Sequence, residues 1–346
     1  MNSSSVDNLQ TAVAVTQHDR ADVSWSRPFI SVGIPTFRRP DTIRRAIDSV
    51  LGQDYSDWEL VVSDDEGPEG ETWAIVTDYA RSEPRIRIIE NSRGRGQVEN
   101  TNNAMLSCSG RWIKLLHDDD WLAPGALRTF AEVANQHPSV AFMTSAANII
   151  EDKRVRFRQV PKEQEPISLY SSQQCLMDLY LVRATRCLGI IPSTLLINSD
   201  VIRAGCLMRT HKEIPAGVDQ LFFVDLASHG DMVAISDPLT FYDATNHPSI
   251  TTTKSFREVD EVTLAVKQLN WNLIKDRNHL PPPETLLRAL RVARIPMRFH
   301  QQSWLTTFLD GIQIFRPSVM KVAGWHVLNH VFAIRPRLGR VRTRRR

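Results

Sequence analysis

Cysteine is scarce in this chain: four in 346 residues, Cys108, Cys175, Cys187 and Cys206, with no C-x-x-C pair and no zinc-knuckle spacing. That excludes a disulfide-stapled small domain and a structural zinc module, and it reads as reduced, structural thiols in a reducing compartment. Long apolar runs are missing too. No window approaches the ~18 uninterrupted apolar residues that a spanning helix needs. Residues 1–26 are polar and lack the basic-then-apolar order of a secretory signal, so they read as a loose cytosolic leader. There is no internal repeat. Glycine forms no complete phosphate loop: SRGRG (92–96) satisfies neither G-x-x-x-x-G-K-[ST] nor G-x-G-x-x-G, and reads as a loop over a ligand or a plain surface turn. The net charge of +3 identifies no partner, although seven arginines crowd the stretch from Arg335 to Arg346.

What is present is alternation. FISVGI (29–34) is a short apolar run with β-branched content, a strand that stops at Pro35. PDTIRRAIDSVLGQ (40–53) then places Ile43, Ile47, Val50 and Leu51 on one helical face, with Pro40 in the first turn, where its missing N–H costs nothing. WELVVS (58–63) is a second buried strand, ending at Asp64 and Asp65, and a helical stretch leads to a third, RIRIIE (85–90). WIKLLH (112–117) and VAFMTSA (140–146) are the fourth and fifth, separated by the helical ALRTFAEVANQ. Strands apolar on both faces, joined through helices, predict an α/β fold with a mostly parallel central sheet. Beyond Asn148 the rhythm loosens. GIIPSTLLINSD (189–200) and MVAISDPLTFYD (232–243) read as strands around a helix in VDQLFFVDLASHG (218–230), and the chain turns helical from about Phe256.

Open α/β sheets bind ligands at the carboxyl ends of their strands. Pro35-Thr36, Asp64-Asp65 and Asp118-Asp119-Asp120 all fall there. Clustered carboxylates need a cation, or each raises its neighbour's pKa. A hard divalent ion, Mg²⁺ or Mn²⁺, takes one or two carboxylates and fills its shell with water and phosphate oxygens. The alternative for the triple aspartate is capping of the helix that begins near Pro124. Trp112 reads as core, and Trp121 as core or pocket lining.

From about 29 to 250 the chain resembles the family 2 glycosyltransferases of the GT-A fold. FISVGIPTFRRPDTIRRAIDSVLGQDYSDWELVVSDDEG is similar to that family's opening. GRWIKLLHDDDWLAPGAL resembles its metal-binding D-x-D segment. VDQLFFVDLASHGDMVAISDPLTFYDATNHPSIT resembles a later block in which an acidic residue opens a helix and a histidine follows a final strand. The resemblance implies a GT-A fold, Rossmann-like, to which the helical stretch from about Phe256 is a C-terminal extension. It also implies inverting transfer of a sugar from a UDP-, GDP- or dTDP-linked donor to a glycan or lipid-linked acceptor. Pro35, Thr36, Arg38, Asp64, Asp65, Asn102 and Asp118 would then bind the nucleotide, with Asp65 on the edge of the base and Asp118 near the ribose or the metal. Asp119 and His247 would hold Mn²⁺ or Mg²⁺, Trp121 and Asp120 would line the sugar pocket, and Asp219 would be the catalytic base. The chain departs from the pattern at His117, where the family has an aspartate, at Val218, where it often has a glutamate, and at Thr101-Asn102, where it has Arg-Asn.

The expected organisation is a leader (1–26), a GT-A domain (27–250, divided into a nucleotide-binding part, 27–122, and an acceptor-binding part, 123–250), a helical region (251–334) and a basic tail (335–346). In PETLLRALRVARIPMRFH (283–300) four arginines, Arg288, Arg291, Arg294 and Arg298, stand at helical spacing opposite leucines. With WHVLNHVFAI (325–334) and the tail, this helix either docks on an anionic membrane or packs on the domain. The expected location is cytoplasmic, with the membrane's inner face as the docking surface. No base-reading motif accompanies the tail, so no nucleic-acid partner is expected. Two other classes compete: a nucleotidyltransferase, which would open on a Gly-rich turn where this chain has Pro35-Thr36-Phe37, and a non-catalytic nucleotide or sugar binder.

Overall fold

The computed structural model describes residues 29–151, 154–159, 165–181, 191–210, 218–245, 256–275, 278 and 280–293. The leader, Cys187, His247, the end of the 283–300 helix, the 325–334 segment and the arginine tail lie outside the described residues.

Among the described residues ten strands form one sheet, eight of them in the order β3-β2-β1-β4-β9-β6-β10-β5. The first half follows the alternating sequence closely. β1 (Ile30–Thr36) lies between β2 (Trp58–Asp64) and β4 (Trp112–Leu115), parallel to both, and β3 (Ile86–Glu90) extends the sheet beyond β2. All seven residues of β1 are buried, as a strand covered on both faces must be. α1 (Pro40–Leu51), α2 (Glu71–Ser82) and α3 (Gln97–Leu106) connect them, and Pro40 occupies the first helical turn as its chemistry favours.

The second half is mixed, which an apolar run cannot reveal, because periodicity carries no strand direction. β5 (Trp121–Leu122) is a two-residue strand antiparallel to β10 (Met232–Asp243), while β6 (Phe142–Glu151) runs parallel to β10. The run expected as a strand over 189–200 is a short 3-10 turn, Pro192–Thr194, followed by β9 (Leu195–Asn198). β9 is inserted antiparallel between β4 and β6. β7 (Arg154–Gln159) and β8 (Ile167–Tyr170) pair with β6 and β10.

The sheet separates two cores, and neighbouring residues of one strand alternate between them. Leu60 and Val62 pack with α1, α2 and α4 (Ala126–Gln136), whereas Val61 joins the side carrying α5 (Ser172–Leu181) and α7 (Val218–His229), the latter following the short α6 (Ser199–Arg203). α8 (Phe256–Leu273) and α9 (Pro283–Ala293) close that second side. Leu286 is fully buried there, and the Tyr180 hydroxyl of α5 donates to the Pro281 carbonyl at 2.6 Å. Leu286 and Leu287 of α9 are therefore covered by protein, while Arg288 stays partly exposed beside Glu284. No helix among the described residues is long and apolar enough to cross a membrane.

Candidate active site

β1, β2 and β4 end together, so the polar residues that stop them share one crevice. Thr36 closes β1, and its hydroxyl donates to Oδ2 of Asp118 at 2.7 Å. The Thr36 carbonyl accepts from Nδ2 of Asn100 at 2.9 Å, and Asn100 in turn accepts from Ser63 of β2 at 2.7 Å. Pro35 lies within β1, one residue beyond its expected end. Arg38 follows with φ of 54°, the left-handed region uncommon for a residue with a side chain. Its guanidinium is exposed and pairs with Glu66 at 2.8 Å.

The two aspartates after β2 divide their duties. Asp64 is fully buried, and its Oδ1 accepts the Glu66 N–H at 2.9 Å, so it shapes the turn. Burial raises its pKa. Asp65 faces the loop expected to lie over a ligand: Asn91 donates to its Oδ1 at 2.6 Å and the Gly96 N–H to its Oδ2 at 2.8 Å. SRGRG is thereby latched to the end of β2.

The triple aspartate does not cap α4. Gly125 holds the cap position, with no side-chain cap bond. Instead the three carboxylates separate. Asp118 turns toward Thr36 and Arg39, the latter at 4.0 Å. Burial pushes its pKa up to about 6, against the pull of the Thr36 bond. Asp119 and Asp120 turn toward His117, and one ligand atom from each of the three lies within 4.8 Å of the others. Asp120 is fully buried, and burial together with the neighbouring Asp119 raises its pKa. Its Oδ1 accepts the Asp243 N–H at 3.0 Å, while its Oδ2 and the His117 Nε2 are buried without a hydrogen-bond partner among the described residues. Two unpartnered buried donor atoms beside a second carboxylate, Asp119, fit a divalent cation. The departure at His117 thus places an imidazole in the candidate ligand set.

Asp219 stands in the first turn of α7. Burial raises its pKa and the nearby His117 opposes the rise; Oδ1 has no partner among the described residues. Burial raises the pKa of Tyr242 on β10, and the charges of Asp120, Asp119, Asp219 and Asp243 add to the rise, so the end of β10 and the start of α7 stand near the acidic segment.

One expected residue is placed elsewhere. Asn102 turns away from the crevice: its Nδ2 donates to the Met208 carbonyl at 2.8 Å and its Oδ1 accepts the Met208 N–H at 2.9 Å. On a helix, Asn100 and Asn103 point to the sheet and Asn102 does not. Trp121 lies under the Arg45 guanidinium, 4.0 Å from its ring centre, and stacks on Phe241 at 5.1 Å. Trp112 is buried core. The sequence reading missed Arg45, Lys114, Ser193, Tyr242 and Asp243. Lys114 gave a signal, a lone cation inside an apolar strand. It is fully buried, donates to the carbonyls of Leu115 (2.9 Å) and Ser193, and burial pushes its pKa down to about 7 although Asp120 favours its charge.

Residues 31–191 match the model of Glycosyl transferase family 2. Among curated relatives, a GalNAc(5)-diNAcBac-PP-undecaprenol β-1,3-glucosyltransferase of Campylobacter jejuni is 36% identical over 110 residues, 32% of this chain and 35% of that protein. A putative colanic acid biosynthesis glycosyl transferase, WcaA of Escherichia coli, is 35% identical over 120 residues, 34% of this chain and 42% of that one. The chain thus spans less than half the length of these relatives. Among solved structures, S. aureus TarS (residues 1–349, with UDP) superposes with a TM-score of 0.57 at 18% identity, covering 87% of this chain and 86% of that one, a likeness of fold.

Proposed function

We propose that this chain, which belongs to glycosyltransferase family 2 through residues 31–191, moves a sugar from a nucleoside diphosphate to an acceptor hydroxyl with inversion. The observation that carries the reading is convergence. Thr36–Asp118, the His117/Asp119/Asp120 group and Asp219 come from three separated segments and meet at the carboxyl end of β1 and β4. The parallel half of the sheet, with Asp65 and its latched loop, is the natural seat of the nucleotide.

His117, Asp119 and Asp120 would hold the divalent cation. When bound, it supplies positive charge for the diphosphate as that group departs. An imidazole among the donors favours Mn²⁺ over Mg²⁺. Asp118, held by Thr36, accepts from the ribose side of the nucleotide. Asp219 takes the proton of the acceptor hydroxyl while that oxygen bonds to the anomeric carbon. The carbon–oxygen bond to the diphosphate breaks on the opposite face, and the diphosphate leaves with the electron pair. A buried carboxylate with a raised pKa suits this task, because a base is most effective near the working pH. The name of the Campylobacter relative supports a polyprenyl-diphosphate-linked acceptor. The arginine spacing of 288–298 supports a surface for an anionic membrane, of which Arg288, partly exposed beside Glu284, is the described member.

The test is a thermal-shift series with UDP, GDP, dTDP and CDP, with and without Mn²⁺, on the native protein, Asp119→Asn and Asp219→Asn. A ligand at ~100 times its Kd stabilises by ~2.7 kcal/mol. One diphosphate should stabilise the native protein only with metal. Asp119→Asn should lose that response, and Asp219→Asn should keep it while losing ~10²–10⁴ in turnover. A diphosphate response independent of metal and of Asp119 would sink the assignment.

A further inference from the structure

Arg45, Ser49 and Gln53 stand four residues apart along α1 and just past its end, and so lie on one face. All three hold the backbone of residues 119–127. Nη2 of Arg45 donates to the Asp119 carbonyl at 2.6 Å. Oγ of Ser49 accepts the Leu122 N–H at 3.0 Å. Gln53 donates to the Ala123 carbonyl and accepts the Leu127 N–H, both at 3.0 Å. Apart from the two residues of β5, this stretch has no regular structure before α4, so these side chains set its path.

Arg45 also reaches across the sheet. The same nitrogen donates to Oδ2 of Asp243 at 2.8 Å, and the Asp243 N–H donates to Oδ1 of Asp120 at 3.0 Å. Its guanidinium lies over the Trp121 ring. One side chain therefore fixes the main chain at Asp119 and, through Asp243, the carboxylate of Asp120.

We propose that Arg45 is a positioning residue for the transferase, holding Asp119 and Asp120 in the arrangement that a divalent cation requires. This inference rests on the metal reading given above. Partners that orient ligands tune metal affinity by ~10–100-fold. Lysine is a poor substitute: it lacks the planar guanidinium that stacks on Trp121, and its shorter stem does not bring one nitrogen to both acceptors.

The test is Mn²⁺ titration followed by electron paramagnetic resonance, at fixed pH, on the native protein, Arg45→Lys, Arg45→Gln, Arg45→Met and Arg128→Ala. Arg128 serves as the control because it pairs with Asp54 on the surface. Melting temperature and amide exchange at Leu122 are measured in parallel. Folded Arg45→Gln and Arg45→Met should lose ~10–100-fold in Mn²⁺ affinity, with faster exchange at Leu122. Arg45→Lys should fall between them and the native protein, and Arg128→Ala should match the native protein. If Arg45→Met fails to fold, the Gln and Lys variants carry the comparison. Mn²⁺ binding by the native protein with unchanged affinity in the folded Arg45 variants overturns this inference alone. Absence of Mn²⁺ binding by the native protein overturns the metal reading and this inference with it.

Discussion

The hydroxyl of Thr36 donates a 2.7 Å hydrogen bond to Asp118, joining the ends of two neighbouring strands across 82 positions of sequence. The acceptor is a buried carboxylate whose pKa burial has already pushed up to about 6. Thr36 favours its charged form, and a bond to a charged group contributes ~1.5–3 kcal/mol.

Thr36→Val keeps the shape of the side chain and removes that bond. Asp118 should then hold its proton to higher pH, by ~1–2 units at 1.36 kcal/mol per unit. The acid limb of kcat/KM should move up by that amount, with turnover recovering at alkaline pH. An acid limb that stays in place in Thr36→Val would show that Asp118 does not govern it.

Asn102→Ala should cost stability and leave the site alone. It deletes both bonds to the Met208 backbone and leaves a buried N–H and carbonyl unsatisfied, a loss of ~1–3 kcal/mol for each group. Denaturant unfolding measures the loss. The nucleotide Kd of the folded variant should be native, whereas Asn100→Ala, which frees the Thr36 carbonyl, should weaken nucleotide binding.

Lys114 makes stability depend on pH in a definite direction. Its folded pKa of about 7 lies below the ~10.4 of an unfolded lysine. Between those values the unfolded chain binds a proton that the folded chain does not, so this group's contribution to stability improves as pH rises through the window. Lys114→Met should remove that slope. The variant should gain most over the native protein near pH 7 and lose its advantage toward pH 10, as read from melting temperatures in the absence of metal.

The parallel half of the fold and three of its strand ends were legible because burial on both faces leaves unbroken apolar runs, and whatever stops them sits at the carboxyl edge. Thr36, Asp64 and the acidic segment after β4 were found in that way. Strand direction was not legible: β9 looks like any buried strand, yet it runs against β4 and β6. Nor was the role of Arg45, Ser49 and Gln53, because their partners are mostly backbone atoms some seventy residues further along the chain. The difference between Asn100 and Asn102 is a matter of helical phase. Only the position of α3 against β1 and β2 settles it.

The bond from the Asp243 N–H to Asp120 spans 123 positions, and β5 pairs with β10 across a similar gap. During synthesis, β1 to β4 have all emerged by Leu115, but the acidic loop waits for β10 to emerge. Contacts so distant in sequence form late, because the connecting loop must be closed first. The parallel half of the sheet therefore takes shape before the His117, Asp119 and Asp120 group does. A nascent chain ending before Met232 holds all three of His117, Asp119 and Asp120 without the strand that sets them, so the group is completed only as the sheet itself is.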